Sequence, residues 1–307
     1  MRMIPVDSHE FERLRPRLFG MAYRMLGQVQ DAEDTVQEAM LRWQSAEQES
    51  IASTEAWLVA VTTRLAIDRL RRAETERAAY AGPWLPEPMV TEPEPTDRAA
   101  ELASDLSMAF LVLLERLAPE ERAAFLLREV FDVAYGEIAR TLGRSDVAVR
   151  QTVHRARERV RREQSRFTAP ADAHERLLHR FIAALEADDQ DALLGVFAEE
   201  ATFTSDGSGR APAMRATVTG ADRVARALLG FQRMGRGLVA HRVATLNGTP
   251  AMVSSVDGRI IFATFVEGDG ERVAAVYRVL NPEKLRHLGG ELYQWPESGG
   301  TAPGRGE

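Results

Sequence analysis

The sequence predicts a multidomain chain: two all-α helical domains followed by an α+β domain. Three observations carry this expectation. Up to residue 167 the apolar residues recur at helical spacing, interrupted by one proline-dense stretch. Beyond residue 200 they fall into short β-rich runs, with the hairpin dipeptides Asn247-Gly248, Asp257-Gly258 and Asp269-Gly270 between them. The 307 residues, 45% hydrophobic and 28% charged, suffice for two or three modest cores.

Composition narrows the function classes. The absence of cysteine excludes disulfides, thiolate zinc sites and thiol switching. No apolar run approaches a membrane span of roughly 18 residues, and "MRMIPVDSHEFERL" has no signal-peptide core. The expectation is a cytoplasmic protein with no membrane partner, no cofactor, no metal and no catalytic residues. A net charge of −7 argues against a generally basic DNA coat. Residues 140–166 nevertheless hold nine arginines against Asp146, Glu158 and Glu163, a local balance of +6. A solvated charged helix is the alternative reading of that segment.

In chain order, "DAEDTVQEAMLRW" (31–43) forms a helix with a buried stripe of Val36, Ala39, Met40 and Trp43. Asp34, Gln37, Glu38 and Leu41 repeat the same spacing on the other side, either as a solvated face or as a partner-docking stripe. The helix from about Thr54 to Arg72 sets a core face of Trp57, Val61 and Leu65 beside Thr62, Thr63, Arg64, Asp68, Arg69, Arg71 and Arg72. Basic and hydroxyl groups near an aromatic suit phosphate contact and base stacking; arginines at a helix end also complement its dipole. Five of the 14 prolines lie in "PWLPEPMVTEPEP" (83–95), so residues 76–104 read as a semi-rigid linker with a docking point at Trp84–Pro88.

"APEERAAFLLREVFDVAYGEIARTLGRSDVAVRQTVHRARERVRR" (118–162) reads as a helix-turn-helix. Pro119 starts a helix, Gly143 makes the tight turn, and Ser145 caps the second helix. Val149, Val153, Ala156 and Val160 face inward, while Arg150, Gln151, His154 and Arg155 face outward. Arg144 and Arg150 sit near the leading end to read base edges, and trailing arginines such as Arg157 neutralise phosphates. After Pro170, Leu178, Phe181, Ile182 and Leu185 define an amphipathic helix. A curved antiparallel sheet built from hairpins follows, interrupted by a helix around 220–234.

Together the two helical blocks resemble a bacterial sigma factor of the extracytoplasmic-function type. "DAEDTVQEAMLRW" resembles the region 2 helix that binds the clamp helices of RNA polymerase, which implies polymerase contact by Asp34, Gln37, Glu38 and Leu41. "AWLVAVTTRLAIDRLRR" resembles the segment that melts and reads the −10 element, implying roles for Trp57, Thr62, Thr63, Arg64, Asp68, Arg69, Arg71 and Arg72. "EIARTLGRSDVAVRQTVHRARERV" is similar to the region 4 motif that reads the −35 element, implying roles for Arg144, Ser145, Arg150, Gln151, His154, Arg155 and Arg157. The implied partners are core RNA polymerase and promoter DNA. The segments are 1–75 for region 2, 76–104 for the linker, 105–167 for region 4, 170–296 for the C-terminal domain and 297–307 for a flexible tail.

The C-terminal part resembles the SnoaL-like cone fold, which a subgroup of these sigma factors carries with three signatures. Here they read "WLPEP" (Trp84, Leu85, Pro86, Glu87, Pro88), "DGSGR" (Asp206, Gly207, Gly209, Arg210) and "NPEKL" (Asn281, Pro282, Lys284, Leu285). The second departs from DGGGK at Ser208 and Arg210, and the third from NPDKL at Glu283. The resemblance implies regulation in cis by the fused domain, with these residues as contacts. Lys284 is the only lysine in the chain, and Lys284→Ala is expected to alter promoter activity with little loss of fold. Two rival classes remain: a helix-turn-helix transcription factor whose cone senses a small-molecule ligand, and a DNA-tethered cone enzyme. For the enzyme, His179, His241, Asp206 and Asp222 are the candidate groups, and nothing in the sequence makes them converge.

Overall fold

The computed structural model describes residues 8–47, 51–91, 106–164, 169–235 and 237–293. Linker residues 92–104 and the expected flexible tail at 297–307 lie outside the described residues. The chain divides into two compact units, Met1–Ala78 with Leu113–Arg162, and Ala79–Val112 with Glu163–Glu307.

The first unit is helical: α1 (Ser8–Leu26), α2 (Val29–Ser45), α3 (Thr54–Arg77), α5 (Pro119–Glu129), α6 (Tyr135–Leu142) and α7 (Asp146–Gln164), with α4 (Met108–Leu114) lying across the boundary between units. Local chemistry sets the helix ends. The Ser53 hydroxyl accepts the Ala56 N–H at 3.3 Å to cap α3. Pro119 occupies the first turn of α5, where its missing N–H costs nothing. Gly143 ends α6 at φ 64°, a left-handed geometry that only glycine adopts cheaply. Val36, Ala39 and Trp43 are buried, as the 3.6-residue period predicts, while Met40 is half-buried. Trp43 packs against Trp57 with ring centroids 5.4 Å apart.

Regions on either side of the linker pack together within this unit. Arg122, 1% exposed, donates to the Met25 carbonyl and to Glu115, both at 2.7 Å. Arg77 pairs with the same Glu115 and donates to the Leu26 carbonyl at 3.0 Å. Glu115 is therefore shared between two largely buried guanidiniums, which fixes α3 and α5 against the end of α1.

The second unit packs α8 (Ala171–Glu186), α9 (Gln190–Val196) and α10 (Ala221–Met234) on a six-stranded sheet in the order β2-β1-β6-β5-β4-β3. The strands are β1 (Phe197–Asp206), β2 (Val218–Thr219), β3 (Val239–Leu246), β4 (Thr249–Val256), β5 (Arg259–Gly268) and β6 (Val273–Val279). Asn247-Gly248 and Asp257-Gly258 take positive φ at both residues and close the β3–β4 and β4–β5 hairpins. The expectation of an antiparallel sheet needs one correction: β1 pairs with β6 in parallel. Turn dipeptides fix the hand of adjacent strands, but β1 and β6 are joined by a long crossover that no local signal reports.

β5 is buried at nine consecutive positions because both faces of the sheet are covered. On the inner face, Phe203, Met252, Phe262, Val276 and Leu280 pack with Leu178, Phe181 and Leu228 of the helices. On the outer face, Val253, Ala263, Phe265, Tyr277 and Val279 pack with Leu85 of the linker, Met108 and Ala109 of α4, and Leu285. Leu285 belongs to the 3-10 turn Pro282–Leu288.

Candidate nucleic-acid interface and linker clamp

The helix-turn-helix presents the surface that its sequence predicts. Val149, Val153, Ala156 and Val160 are at most 3% exposed, which leaves Arg150, Gln151, His154 and Arg155 outward on α7. Ser145 caps the helix, its hydroxyl accepting the Ala148 N–H at 3.2 Å, and Arg144 stands exposed before it. The Arg150 guanidinium lies 4.2 Å from the Tyr135 ring and donates to Asp146 at 3.0 Å, which aims it at the leading end. Arg157 differs from the rest. It makes a bidentate pair with Glu129 at 2.8 and 2.6 Å, so it is spoken for within the fold. Val147 was not anticipated: at 65% exposed, it puts an apolar side chain on the leading turn of α7.

The α3 residues separate into two groups. Thr62 and Thr63 are buried, and the Thr63 hydroxyl donates to the Val59 carbonyl at 2.7 Å, so the expectation that both present hydroxyls outward is corrected. Arg69 is held by α2, donating to the Asp31 carbonyl at 3.2 Å and to Asp34 at 3.3 Å. Trp57 is half-buried beside Val61 and Leu65. Arg64, Asp68, Arg71 and Arg72 are exposed, yet Arg64 donates to the Thr141 carbonyl at 3.0 Å and Arg71 pairs with Glu120. A groove of about 710 Å³ results, lined by Arg64, Asp68, Arg71, Glu120, Arg140 and Arg144. On α2, Gln37 and Glu38 are exposed, Asp34 is partly so, and Leu41 stands 58% exposed among them.

In the second unit the three signatures meet at one buried point. Lys284 is 4% exposed, and its Nζ donates to Asp206 Oδ2 at 2.7 Å and to the Leu85 carbonyl. The ammonium also lies 4.0 Å from the Trp84 ring and 5.3 Å from that of Tyr80. Asp206, fully buried, accepts the Tyr80 hydroxyl at 2.5 Å and the Leu85 N–H at 2.9 Å. Burial, then the Asp206 charge, pushes the Tyr80 phenol far above its ordinary range, so it remains a donor. Asn281 caps the 3-10 turn through the Glu283 N–H at 3.1 Å and donates to the Tyr80 oxygen at 3.0 Å. The backbone carbonyl of Asp206 takes the N–H groups of Leu280 and Asn281 at 2.7 and 2.9 Å.

The sequence reading gives these residues as contacts of the fused domain, and Leu85, Pro86, Glu87, Pro88, Asp206, Gly207, Asn281, Lys284 and Leu285 are buried. Two of the three departures from the subgroup pattern meet each other on the outside, where Arg210 pairs with Glu283. Gly207 is demanded by packing: a Cβ there would lie 2.4 Å from the Ala211 carbonyl oxygen. Farther along, linker residue Met89 exchanges hydrogen bonds with Asn247, its N–H donating to the side chain at 2.9 Å and its carbonyl accepting at 2.8 Å. Glu87 reaches His287 at 3.3 Å. Tyr80 is the clamp residue that the sequence reading missed. Its only signal was an aromatic in the otherwise small-residue run "AAYAG". The four catalytic candidates do not converge: His179 is exposed, Asp222 pairs with Arg226, Asp206 with Lys284, and His241 with Ser254.

Comparison with known proteins fits this division. Residues 11–76 match the family model for sigma-70 region 2, and residues 107–160 that for sigma-70 region 4. Over 295 residues the chain is 41% identical to the ECF RNA polymerase sigma factor SigJ of Mycobacterium tuberculosis, covering 91% of this chain and 93% of that one. The chain belongs to the extracytoplasmic-function RNA polymerase sigma factors. This sigma factor is also 31% identical over 283 residues to the probable ECF sigma factor SigI of the same species, covering 91% of this chain and 94% of the other. The crystal structure of Mycobacterium tuberculosis SigJ superposes with a TM-score of 0.73 at 37% identity, over 92% of this chain and 99% of that one. It is thus an alternative sigma factor that directs transcription initiation, and sigma factors act by binding core RNA polymerase and promoter DNA. No helix among the described residues is long and apolar enough to cross a membrane.

Proposed function

We infer that the C-terminal unit, read as a SnoaL-like cone, regulates this cytoplasmic sigma factor in cis by holding the connector between regions 2 and 4. The observation that carries this is the buried Lys284 ammonium, which bonds a linker carbonyl, Leu85, and a sheet carboxylate, Asp206. Residues 80–91 are held on the outer sheet face, and Met108 and Ala109 pack into the same core. The connector is therefore pinned at both ends. Promoter spacing demands a particular separation of the −10 and −35 readers, and pinning restricts the separations available.

Promoter reading itself is assigned to Arg144, Arg150, Gln151, His154 and Arg155 at −35, with Ser145 presenting the helix end. Trp57, Arg64, Asp68, Arg71 and Arg72 are assigned to −10, and Asp34, Gln37, Glu38 and Leu41 to polymerase docking. Arg64 and Arg71 are engaged by α6 and α5, so they must exchange those partners for DNA. A pinned connector opposes that opening, and the clamp is read as restraining. Tyr80→Phe removes the hydroxyl that links Asp206 to Asn281, costing about 1 kcal/mol while keeping the ring. In run-off transcription with core polymerase, it is expected to raise transcript yield several-fold from a folded protein. Unchanged or reduced yield would overturn restraint by the clamp.

A further inference from the structure

A second buried cation occupies the opposite face of the sheet, where no function described above uses it. Arg278 on β6 is 2% exposed. Its Nε donates to Thr264 Oγ1 at 3.0 Å, and among the described residues its two terminal nitrogens donate to no protein acceptor. Three aromatic rings surround the guanidinium: Phe262 at 4.3 Å, Phe203 at 5.5 Å and Phe231 at 5.9 Å. These belong to β5, β1 and α10, so the cation sits between the sheet and the helices.

Among the described residues, the buried carboxylates of this unit are all on the other side. Asp206 pairs in register with Val279 and Glu267 with Ala275, both outer-face positions, while Glu87 belongs to the linker docked there. Each has its own partner, in Lys284, Ala109 N–H and His287. Arg278 faces inward beside residues that offer no negative charge: its register neighbours are Thr264 and Ser205, and the Ser205 hydroxyl is taken by the Met214 N–H at 2.8 Å. Burial lowers the guanidinium to about 9, which leaves it charged at neutral pH. Cation–π contact offsets only part of the cost of burying such a charge. One row away, His241 bonds Ser254 through Nδ1 at 2.8 Å, and its Nε2 is buried without a partner. The inner face thus holds a guanidinium with unused donors and an imidazole nitrogen with no hydrogen-bond partner, inside aromatic walls, while the exposed Glu186 of α8 lies within electrostatic reach of that imidazole.

We propose that this inner face is a binding site for a small organic carboxylate, with the terminal nitrogens of Arg278 receiving the anion and Phe203, Phe231 and Phe262 enclosing its apolar body. A bidentate guanidinium–carboxylate pair satisfies both free nitrogens and supplies the missing counter-charge. Thr264 orients the guanidinium, and His241 Nε2 is the polar contact toward β3.

The test is thermal unfolding of the full chain at neutral pH with millimolar phenylacetate, and in parallel with phenylacetamide, which keeps the ring but lacks the charge. Phenylacetate is expected to raise the melting temperature of the C-terminal unit by on the order of 3 °C through linkage, and phenylacetamide is not. The response is expected to vanish in Arg278→Met and to persist in Arg242→Met, a control at an exposed β3 position. No shift with phenylacetate, an equal shift with phenylacetamide, or an undiminished shift in Arg278→Met overturns the proposal. The acid–amide comparison uses the unaltered protein, so the test stands even if Arg278→Met does not fold.

Discussion

At the residue scale, the contrast between one lysine and 38 arginines (39 basic residues in all) has a physical cause at position 284. Three partners converge on one point: a carboxylate oxygen, a carbonyl oxygen and the face of an indole. A compact ammonium meets all three, whereas a planar guanidinium spreads five donors over a wider fork. Truncation leaves Asp206 buried with its charge unopposed. Lys284→Ala is therefore expected to destabilise the C-terminal unit by about 3–5 kcal/mol, and Lys284→Arg is not expected to restore it. This departs from the sequence-based expectation of little loss of fold, because the side chain is buried against Asp206, a partner that lies 78 residues away in the chain. Urea denaturation of Lys284→Ala, Asp206→Leu and the double variant checks it: coupling through one pair predicts a double-variant cost well below the sum. Additive costs would mean that the two groups act separately.

At the element scale, the second helix of the helix-turn-helix separates what periodicity reveals from what it hides. The inward set Val149, Val153, Ala156 and Val160 follows from spacing alone, because one packed face suffices for α7. α3 resists the same reading, since α1, α2, α5 and α6 all contact it and its buried arc widens to include Thr62 and Thr63. A threonine bonded to the carbonyl four residues back is compatible with that interior, so its hydroxyl gives no sign of exposure. Asn-Gly and Asp-Gly turns made the hairpins legible; the parallel β1–β6 pair and the partners of Arg69 and Arg157 depend on tertiary placement. Val147 was passed over because a lone apolar residue among charges counts as noise in a periodic pattern. On α7, Val147 and Arg150 are expected to read different features, the former a thymine methyl and the latter a guanine edge. With core polymerase on promoter variants, Arg150→Ala is expected to cost about 1–3 kcal/mol and to relax preference at one −35 position. Val147→Ser is expected to weaken discrimination at a neighbouring A·T pair. Uniform loss across all promoter variants would instead assign both residues to backbone contact.

At the scale of the whole molecule, two compact units on one chain predict two unfolding transitions, each answering to its own buried charges. Glu267 provides a probe of the C-terminal one. It is 3% exposed on β5 and accepts the Ala109 N–H at 3.2 Å. Burial raises its carboxyl from 4.5 to about 7, against a smaller opposing effect of that hydrogen bond. The native state therefore holds a proton that the unfolded chain releases between those values. Stability of this unit falls as pH rises from about 4.5 to 7, and above pH 7 the ionised buried carboxylate costs on the order of 3 kcal/mol. Glu267→Gln keeps an acceptor for Ala109 and removes the titration. In calorimetry at pH 8 it is expected to raise the C-terminal transition by several degrees, with little effect at pH 5. Arg122→Met, at the shared Glu115 of the helical unit, is expected to lower only the other transition. If either substitution displaces both transitions equally, the units unfold as one, and a clamp confined to the C-terminal unit could not act on the connector without unfolding the promoter readers themselves.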